Sequence, residues 1–278
     1  MSESNPYNLS IPGLEAMARK LRRHVINMIS TAKSGHPGGS LSSTEIVTAL
    51  YFNIMSHKPS DPKWEGRDRF VLSKGHVAPI LYAALAECGY FPVEELSTLR
   101  KFGSRLQGHT DRNLTPGVEM SAGSLGQGLS FGIGVSLALM LNATEQQVYV
   151  LLGDGECEEG QIWEAAMSAP HFRINNLTAI VDYNKIQLDG HCCDIMGLES
   201  LADKWKSFNW HVVEIDGHDF NQVIPALLVA KNVKDKPVAI IAHTIKGKGV
   251  SFMENNVDFH GKAPGPEETA KALKELED

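Results

Sequence analysis

Two segments carry oxygen-bearing side chains where they could bind a metal ion beside a phosphate group. Asp154 lies between two glycines in Gly153-Asp154-Gly155, and Asn184 follows one strand and one helix later. Glycines let a backbone approach a phosphate closely, but a carboxylate repels a phosphate unless a hard cation lies between them. The two segments therefore predict Mg²⁺, held by oxygen atoms, next to a diphosphate.

Two predicted strands would bring these side chains together. Residues 148–152 and 177–181 are short apolar runs typical of strands buried on both faces, and residues 160–172 between them have a helical pattern. Parallel strands end at one edge of their sheet, which is where open α/β sheets bind ligands. We expect the helix after Gly155 to point its amino end at the phosphate.

Histidines next to glycines occur in several other turns. They are His36, His76, His109, His218 and His260. A single histidine in a loop is most often a surface residue, but this repeated placement at element ends favours a polar site. The sequence has no His-Glu-x-x-His or paired-cysteine pattern and no P-loop, so neither a zinc site nor a P-loop nucleotide site is expected.

Strands and helices alternate along the remaining sequence. Further strands are predicted at 69–72, 211–215 and 238–243, and further helices at 14–32, 44–55, 77–88, 92–102, 129–141, 198–208, 220–233 and 267–276. This alternation predicts a three-layer α/β/α fold with a mainly parallel sheet, in a single domain spanning residues 1–278.

Two of these helices have unusual composition. Glycines occur at 126, 128, 132 and 134, in or just before the helix predicted at 129–141. Each destabilises a helix by roughly 1 kcal/mol, which close packing would have to offset. We therefore expect this helix to be central and closely packed. The helix at 14–32 carries Arg19, Lys20, Arg22 and Arg23 on one side, and this basic side is expected to face solvent.

Composition excludes several classes of protein. The net charge is −7, and residues 19–23 are an isolated basic run, which argues against a general nucleic-acid binder. The four cysteines show no metal-binding spacing, and they fit a reducing cytoplasm. Residues 1–10 are polar and no stretch of about 18 apolar residues exists, so we expect a cytoplasmic protein without a membrane span.

The segment from Gly153 to Asn184 resembles the diphosphate and Mg²⁺ motif of thiamine diphosphate enzymes, and its surroundings resemble transketolase. The resemblance runs from about residue 14 to 264. Its motifs are Ser34-Gly35-His36-Pro37-Gly38, Ser73-Lys74-Gly75-His76, Gly108-His109, Gly123-Ser124-Leu125-Gly126-Gln127-Gly128 and Phe259-His260-Gly261. It implies the diphosphate-binding half of the thiamine diphosphate-binding fold.

The resemblance also implies a role for each matching residue. His36, His109 and His260 would be catalytic, in contact with substrate. The metal ligands would be Asp154, Asn184 and the carbonyl of Ile186, with Ca²⁺ or Mn²⁺ as alternatives to Mg²⁺. The cofactor would contact His76, Gly123, Ser124, Leu125, Gly153, Asp154, Gly155, Glu159, Asn184 and His260. Ser124 departs from the proline that full-length transketolases usually have there.

Transketolases also need a second domain, which supplies a glutamate for the aminopyrimidine ring and basic residues for a sugar phosphate. The glutamates of the last predicted helix, at 267, 268, 275 and 277, look solvated and are poor candidates. The resemblance therefore implies the amino-terminal subunit of a split transketolase, which moves a two-carbon ketol unit between a ketose and an aldose. A separately encoded carboxy-terminal subunit would complete the site in an α₂β₂ heterotetramer.

Two other functions remain open. The chain could belong to another thiamine diphosphate enzyme, such as a 1-deoxyxylulose-phosphate synthase or a 2-oxo acid dehydrogenase. It could also be a non-catalytic scaffold. The histidine loops favour transketolase over the first alternative, because these residues suit proton handling on sugar hydroxyls. The intact site residues argue against the scaffold.

Overall fold

Five short apolar runs form one parallel sheet. The computed structural model describes residues 5–277, so the expectations for residues 1–4 and 278 lie outside the described part. The strands are β1 Arg69–Leu72, β2 Val148–Gly153, β3 Leu177–Tyr183, β4 His211–Asp216 and β5 Val238–His243. Their spatial order is β1-β2-β3-β5-β4, and every neighbouring pair is parallel. The predicted parallel sheet is confirmed.

Helices connect the strands and cover the sheet. They are α1 Ile11–Ala32, α2 Pro37–Ser42, α3 Thr44–Ala49, α4 Ala78–Glu87, α5 Gln127–Leu141, α6 Gly160–His171, α7 Cys192–Ile195, α8 Leu201–Ser207, α9 Phe220–Asn232 and α10 Pro266–Glu275. A π-helical turn, Leu50–Ile54, follows α3, and 3₁₀ turns span Gly75–Val77, Val93–Thr98, Gly155–Glu158 and Val257–His260. No helix among residues 5–277 is long and apolar enough to cross a membrane.

Side chains of the central strands alternate between two apolar layers. Tyr149 and Leu151 of β2 point into the layer that contains α1, α4 and α9. Val150 and Leu152 point into the other layer, with α5, α6 and α8. All six residues of β2 are buried, as expected for a strand covered on both faces. The three-layer α/β/α architecture is therefore confirmed, while the single-domain extent of residues 1–278 stays a prediction.

Several predicted elements differ from the observed ones. A helix at 92–102 is wrong, because only the 3₁₀ turn Val93–Thr98 forms there. Residues 37–42, which lie between the predicted helices at 14–32 and 44–55, form the additional short helix α2. The predicted helix at 160–172 is confirmed as α6, and the 3₁₀ turn Gly155–Glu158 separates it from β2. β3 extends through Tyr183, which places Asp182 inside the sheet.

The glycine-rich helix α5 is only half buried. Gly128 and Gly132 lie against the sheet, where a Cβ would come within 2.3 Å of Ser73 Oγ and 2.6 Å of Val150 Cγ2. Gly134 meets nothing within 4 Å, and Leu141 is 86% exposed. The prediction of close packing is thus correct for one face, and the prediction of a central, buried helix is wrong.

These two glycine environments predict opposite effects of alanine in one helix. Gly132→Ala should destabilise the fold by about 1–3 kcal/mol, because the added methyl group overpacks against β2. Gly134→Ala should stabilise it by up to about 1 kcal/mol, because alanine forms helix better than glycine and this position is open. Urea unfolding of both variants measures the difference. Equal shifts of the same sign would contradict the observed packing of α5.

Candidate functional site

A cavity of about 370 Å³ opens where β2 and β3 end. This position, at the carboxyl edge of a parallel sheet, is the common ligand site of such folds. Its volume falls in the range of small-molecule pockets, roughly 300–1,000 Å³. The predicted residues that line it include His76, Leu125, Asp154, Asn184, Ile186 and His260.

Asp154 is joined directly to the turn that follows β3. The backbone N–H of Gly155 donates to its Oδ1 at 2.8 Å, and that of Lys185 donates to its Oδ2. Lys185 lies between Asn184 and Ile186, so this bond brings the three predicted metal-binding residues together. The set contains one carboxylate, one amide and one backbone carbonyl, which are hard oxygen donors of the kind that Mg²⁺ and Ca²⁺ prefer.

The charges around Asp154 favour a bound cation. Burial raises the pKa of this carboxyl to about 6, and the neighbouring Asp182 carboxylate adds to the effect. The positive groups of the protein therefore compensate the carboxylate only partly. The carbonyl of Ile186 already accepts a hydrogen bond from the Lys246 ammonium at 2.6 Å. The residues present thus fit a divalent cation with oxygen ligands.

Asp182 holds the side chain of Asn184 in one orientation. Asn184 Nδ2 donates to Asp182 Oδ2 at 3.0 Å, so Oδ1 points the other way. Oδ1 accepts one hydrogen bond, from Ile186 N at 3.1 Å, and keeps a second lone pair. Asp182 also accepts from Ser42 Oγ at 2.5 Å and forms a buried ion pair with Lys74. Burial would raise its pKa, but the Lys74 ammonium outweighs burial and lowers it.

Four predicted histidines form one cluster beside the cavity. The ring of His36 lies 5.2 Å from His76, 5.5 Å from His260 and 6.4 Å from His109, measured between ring centroids. His76 and His260 are stacked at 5.3 Å. The structure therefore joins three loops that are far apart in the chain with the turn at 257–260.

The histidines of this cluster are held neutral. Burial lowers the pKa of His36 to about 4, with further contributions from Arg100 and His109. Burial and then the Lys246 ammonium lower the pKa of His260 to about 3. His36 Nδ1 is buried and has no hydrogen-bond partner among residues 5–277. Because this nitrogen is shielded, a substrate hydroxyl could reach His36 only at Nε2, where a neutral imidazole can accept a proton or a hydrogen bond.

Lys246 is a site residue that the sequence pattern did not reveal. It is 2% exposed, and its ammonium contacts both Ile186 O and His260 Nδ1, the latter at 2.7 Å. Burial lowers its pKa to about 8, although Asp154 opposes this shift. It therefore links the predicted metal site to the histidine cluster. In the sequence, Lys246 is a lysine in a glycine-rich loop. Many turns that face solvent have the same composition, so this pattern did not indicate a site residue.

Of the remaining predicted cofactor contacts, some line the cavity and others do not. Glu159 is exposed at the start of α6 and lines the cavity. Gly123, with φ of +155°, lies 3.8 Å from the His109 ring when measured from its ideal Cβ position. Ser124 is exposed and is not among the residues that line the cavity.

Glu156, which carried no prediction, is a buried carboxylate in this region. Its Oε1 accepts from Gly126 N at 2.9 Å and from Ser73 Oγ, and its Oε2 accepts from Gly153 N at 3.0 Å. Burial raises its pKa. This side chain therefore ties the amino end of α5 to the ends of β1 and β2.

Two residues with sequence expectations lie away from the cavity, in a buried ion pair. Arg22 was expected to face solvent, but it is 5% exposed and contacts Glu45 at 2.7 Å. His218 was grouped with the other turn histidines, but its Nδ1 lies 2.9 Å from Glu45 and its Nε2 accepts from Ile245 N at 2.8 Å. Both corrections have one cause, a buried glutamate that attracts the two basic side chains.

Comparison with known families gives a match over nearly the whole chain. Residues 14–277 match the family described as "Transketolase, thiamine diphosphate binding domain". A relative from Clostridium sp. strain MSTE9, named as a 6-deoxy-6-sulfo-D-fructose transketolase subunit, is 46% identical over 95% of this chain and 96% of its own length. A relative from Phocaeicola vulgatus, named as one subunit of an apulose-4-phosphate transketolase, is 40% identical over 96% of this chain and 95% of its own.

Solved structures give the same result for the fold. The crystal structure of transketolase from Campylobacter jejuni superposes with a TM-score of 0.91 and 32% identity, covering 96% of this chain. The chain spans only 43% of that protein. Transketolase from Leishmania mexicana superposes with a TM-score of 0.89, and the chain spans 41% of its length.

Proposed function

The chain belongs to the transketolase family, and we propose from this premise that it is the amino-terminal subunit of a split, thiamine diphosphate-dependent transketolase. The observation that carries the proposal is the contact between an oxygen-ligand site and a cluster of neutral histidines, made through Lys246. The first suits a metal-bound diphosphate and the second suits a sugar with hydroxyl groups. The reaction would transfer a two-carbon ketol unit from a ketose to an aldose.

The cofactor end of the site is formed by the turns after β2 and β3. Asp154, Asn184 and the carbonyl of Ile186 would hold the divalent cation, with Mg²⁺ as the expected ion and Ca²⁺ or Mn²⁺ as alternatives. Gly155 and His76 would contact the diphosphate. Bound thiamine diphosphate supplies an electron sink that stabilises a carbanion, whereas the protein supplies binding, orientation and proton transfer.

The substrate end is formed by His36, His109 and His260. Because burial keeps His36 neutral near pH 7, its ring can accept a proton from a substrate hydroxyl and return it. The Lys246 ammonium at His260 Nδ1 leaves Nε2 as the protonated nitrogen of that ring when it is neutral. His260 would then donate a hydrogen bond from Nε2.

A partner subunit is the second part of the proposal. Relatives that match over nearly their full length are themselves named subunits, while this chain spans less than half of the solved transketolases. Two glutamates of α10 are used within the chain, since Glu268 accepts from Gly265 N and Glu275 from Ser251 N. A carboxy-terminal subunit would therefore supply the pyrimidine-binding half, in an α₂β₂ assembly.

Exposed apolar side chains in the segment after the predicted metal ligands support such a partner. Leu188, Ile195 and Met196 are 62%, 46% and 58% exposed, and all three follow the predicted metal ligands in the chain. Neighbouring exposed apolar residues often mark a protein interface. We therefore expect the segment at 187–197 to contact the second subunit.

The substrates are proposed to carry an anionic group. The names of the two subunit relatives describe a sulfonated ketose and a phosphorylated sugar, which share an acidic group on a sugar. The physiological ketose and aldose of this chain would belong to the same chemical class.

Reconstitution tests the proposal. We expect the chain, its partner subunit, thiamine diphosphate and Mg²⁺ together to transfer a ketol unit from a ketose phosphate to an aldose, and neither subunit to be active by itself. Activity of the isolated chain would refute the shared site. If the complex instead turns over pyruvate, another thiamine diphosphate enzyme would be favoured. If titration calorimetry detects no binding of the cofactor to the complex, a scaffold would be favoured.

A further inference from the structure

The guanidinium of Arg100 lies at the outer end of the histidine cluster. Its Nη1 donates to Ser34 Oγ at 3.0 Å, two residues before His36 in the chain. Its Nη2 lies 3.5 Å from the carbonyl of Gly108, next to His109. The side chain thus spans the first and third histidine loops.

A series of contacts separates Arg100 from the proposed metal site. Lys246 touches Ile186 O and His260, the ring of His260 faces His36, and His36 faces His109. Arg100 contacts the two loops that carry the last pair. It therefore belongs to the substrate end rather than to the diphosphate end.

The local backbone is built to hold this arginine. A Cβ at Gly108 would come within 2.8 Å of Arg100 Cζ and 2.9 Å of its Nε, so the guanidinium can lie there only above a glycine. Arg100 itself has φ of +60°, a left-handed conformation that is uncommon for a residue with a side chain.

The charge of Arg100 has no partner in the described structure. No carboxylate within residues 5–277 lies within 4 Å of its guanidinium, and the side chain is exposed. Arg105 on the same loop is different, because it pairs with Glu95 at 3.0 Å. Most of the five N–H donors of Arg100 stay available, and their planar arrangement matches two oxygens of a tetrahedral anion.

We propose that Arg100, supported by Ser34, binds the anionic group of the sugar substrate, so that substrate specificity is determined in part by this chain. The inference rests on the proposed function and deepens it. The ligand chemistry is a tetrahedral oxyanion, phosphate or sulfonate, carried by a sugar. This contact adds to the basic residues that the family resemblance assigns to the second domain.

Paired substrates in the reconstituted complex test this role. Arg100→Gln should lower kcat/KM for D-glyceraldehyde 3-phosphate about tenfold, because charge-assisted hydrogen bonds to an oxyanion are lost. The same variant should change kcat/KM for neutral D-glyceraldehyde less than about twofold, since an exposed arginine is not needed for the fold. Arg100→Lys should retain part of the preference because it keeps the charge without the planar fork.

Arg105→Gln is the matched control, with the same change of charge on the same loop. It should leave kcat/KM for both substrates unchanged, because it breaks only a partly exposed ion pair. Equal losses for the charged and the neutral aldehyde in Arg100→Gln would overturn the proposal and leave Arg100 a structural residue. The proposal is also overturned if Arg105→Gln reduces the preference as strongly.

A binding measurement separates this inference from the proposed function. The arginine Nε–Hε signals of the full chain are followed by NMR during titration with methyl phosphate and, separately, with methanesulfonate. A saturable shift that Arg100→Gln abolishes supports the anion site, and the anion that binds more tightly identifies phosphate or sulfonate. No response to either anion overturns the inference. This result stands whether or not the complex transfers ketol units.

Discussion

Replacement of Asp154 by alanine is expected to abolish metal-supported binding of thiamine diphosphate. Asp154 is the only carboxylate of the three predicted metal ligands, and it is 2% exposed. Even partners that only orient metal ligands typically contribute about 10–100-fold to metal affinity, so loss of a ligand should exceed about 100-fold. Titration calorimetry of the chain with its partner, cofactor and Mg²⁺ measures the loss directly.

Asp235→Ala is the control for this experiment. The side chain of Asp235 is 76% exposed and does not line the cavity. We expect its removal to change cofactor affinity less than about threefold, the size of a screened surface charge effect. Equal weakening in both variants would mean that the overall negative charge of the chain, rather than coordination, governs binding. Retained metal-dependent binding in Asp154→Ala would refute the assignment.

Glu45→Gln is expected to destabilise the protein by about 3–5 kcal/mol, since it leaves Arg22 as an uncompensated buried charge. The side chains of both residues are less than a tenth exposed and they are 2.7 Å apart. Urea unfolding at pH 7 measures the effect. Asp203→Asn, which breaks the exposed pair with Lys206 at 3.2 Å, is the control and should cost less than about 1 kcal/mol.

The effect of Glu45→Gln should depend on pH in one direction. Burial alone would raise the pKa of Glu45, but the Arg22 guanidinium and His218 outweigh it and lower the pKa from 4.5 to about 2. A carboxylate with a lowered pKa stabilises the fold above its unfolded pKa and loses this contribution as pH falls through the folded value. The difference between wild type and variant should therefore be constant above pH 4.5 and shrink from there toward pH 2. A constant difference across this window would contradict an ionised Glu45.

Loss of Glu45 should also weaken cofactor binding through the loop at 244–249. Arg22 Nε donates to Lys248 O at 3.0 Å, and His218 accepts from Ile245 N at 2.8 Å. Both bonds hold the loop that carries Lys246 into the cavity. If Glu45→Gln lowers stability but not cofactor affinity at temperatures well below unfolding, this positioning is unnecessary.

Local patterns were sufficient for the framework of this protein. The apolar runs predicted all five strands within two residues of their observed ends, because strand length and burial depend on neighbouring side chains. The same kind of information failed at 92–102, where a helical pattern forms only a 3₁₀ turn. Glycine content also predicted that α5 is central, whereas only one of its faces is covered. The composition of a helix does not determine which neighbours are present.

For the candidate site, too, the sequence indicated some features and tertiary packing decided others. Residue types at the ends of two predicted strands indicated Asp154 and Asn184, since the carboxyl ends of parallel strands must lie at one edge. The histidines were indicated by their placement in turns next to glycines and by the resemblance to transketolase. The distance between His36 and His260, the burial of Lys246 and the orientation of Asn184 by Asp182 were decided by tertiary packing. These contacts join residues that are far apart in the chain, and no local pattern specifies them.

Arg22 illustrates the physical reason most clearly. In the sequence it is one of four basic residues on a helix, and such a face is normally solvated. In the fold, Glu45 and the carbonyl of Lys248 converge on it from two other segments. The sequence by itself determined the sheet, its ligand-binding edge and the residue types for metal and proton chemistry. Only the tertiary structure decided which charges are paired and buried, because that depends on partners brought together by packing.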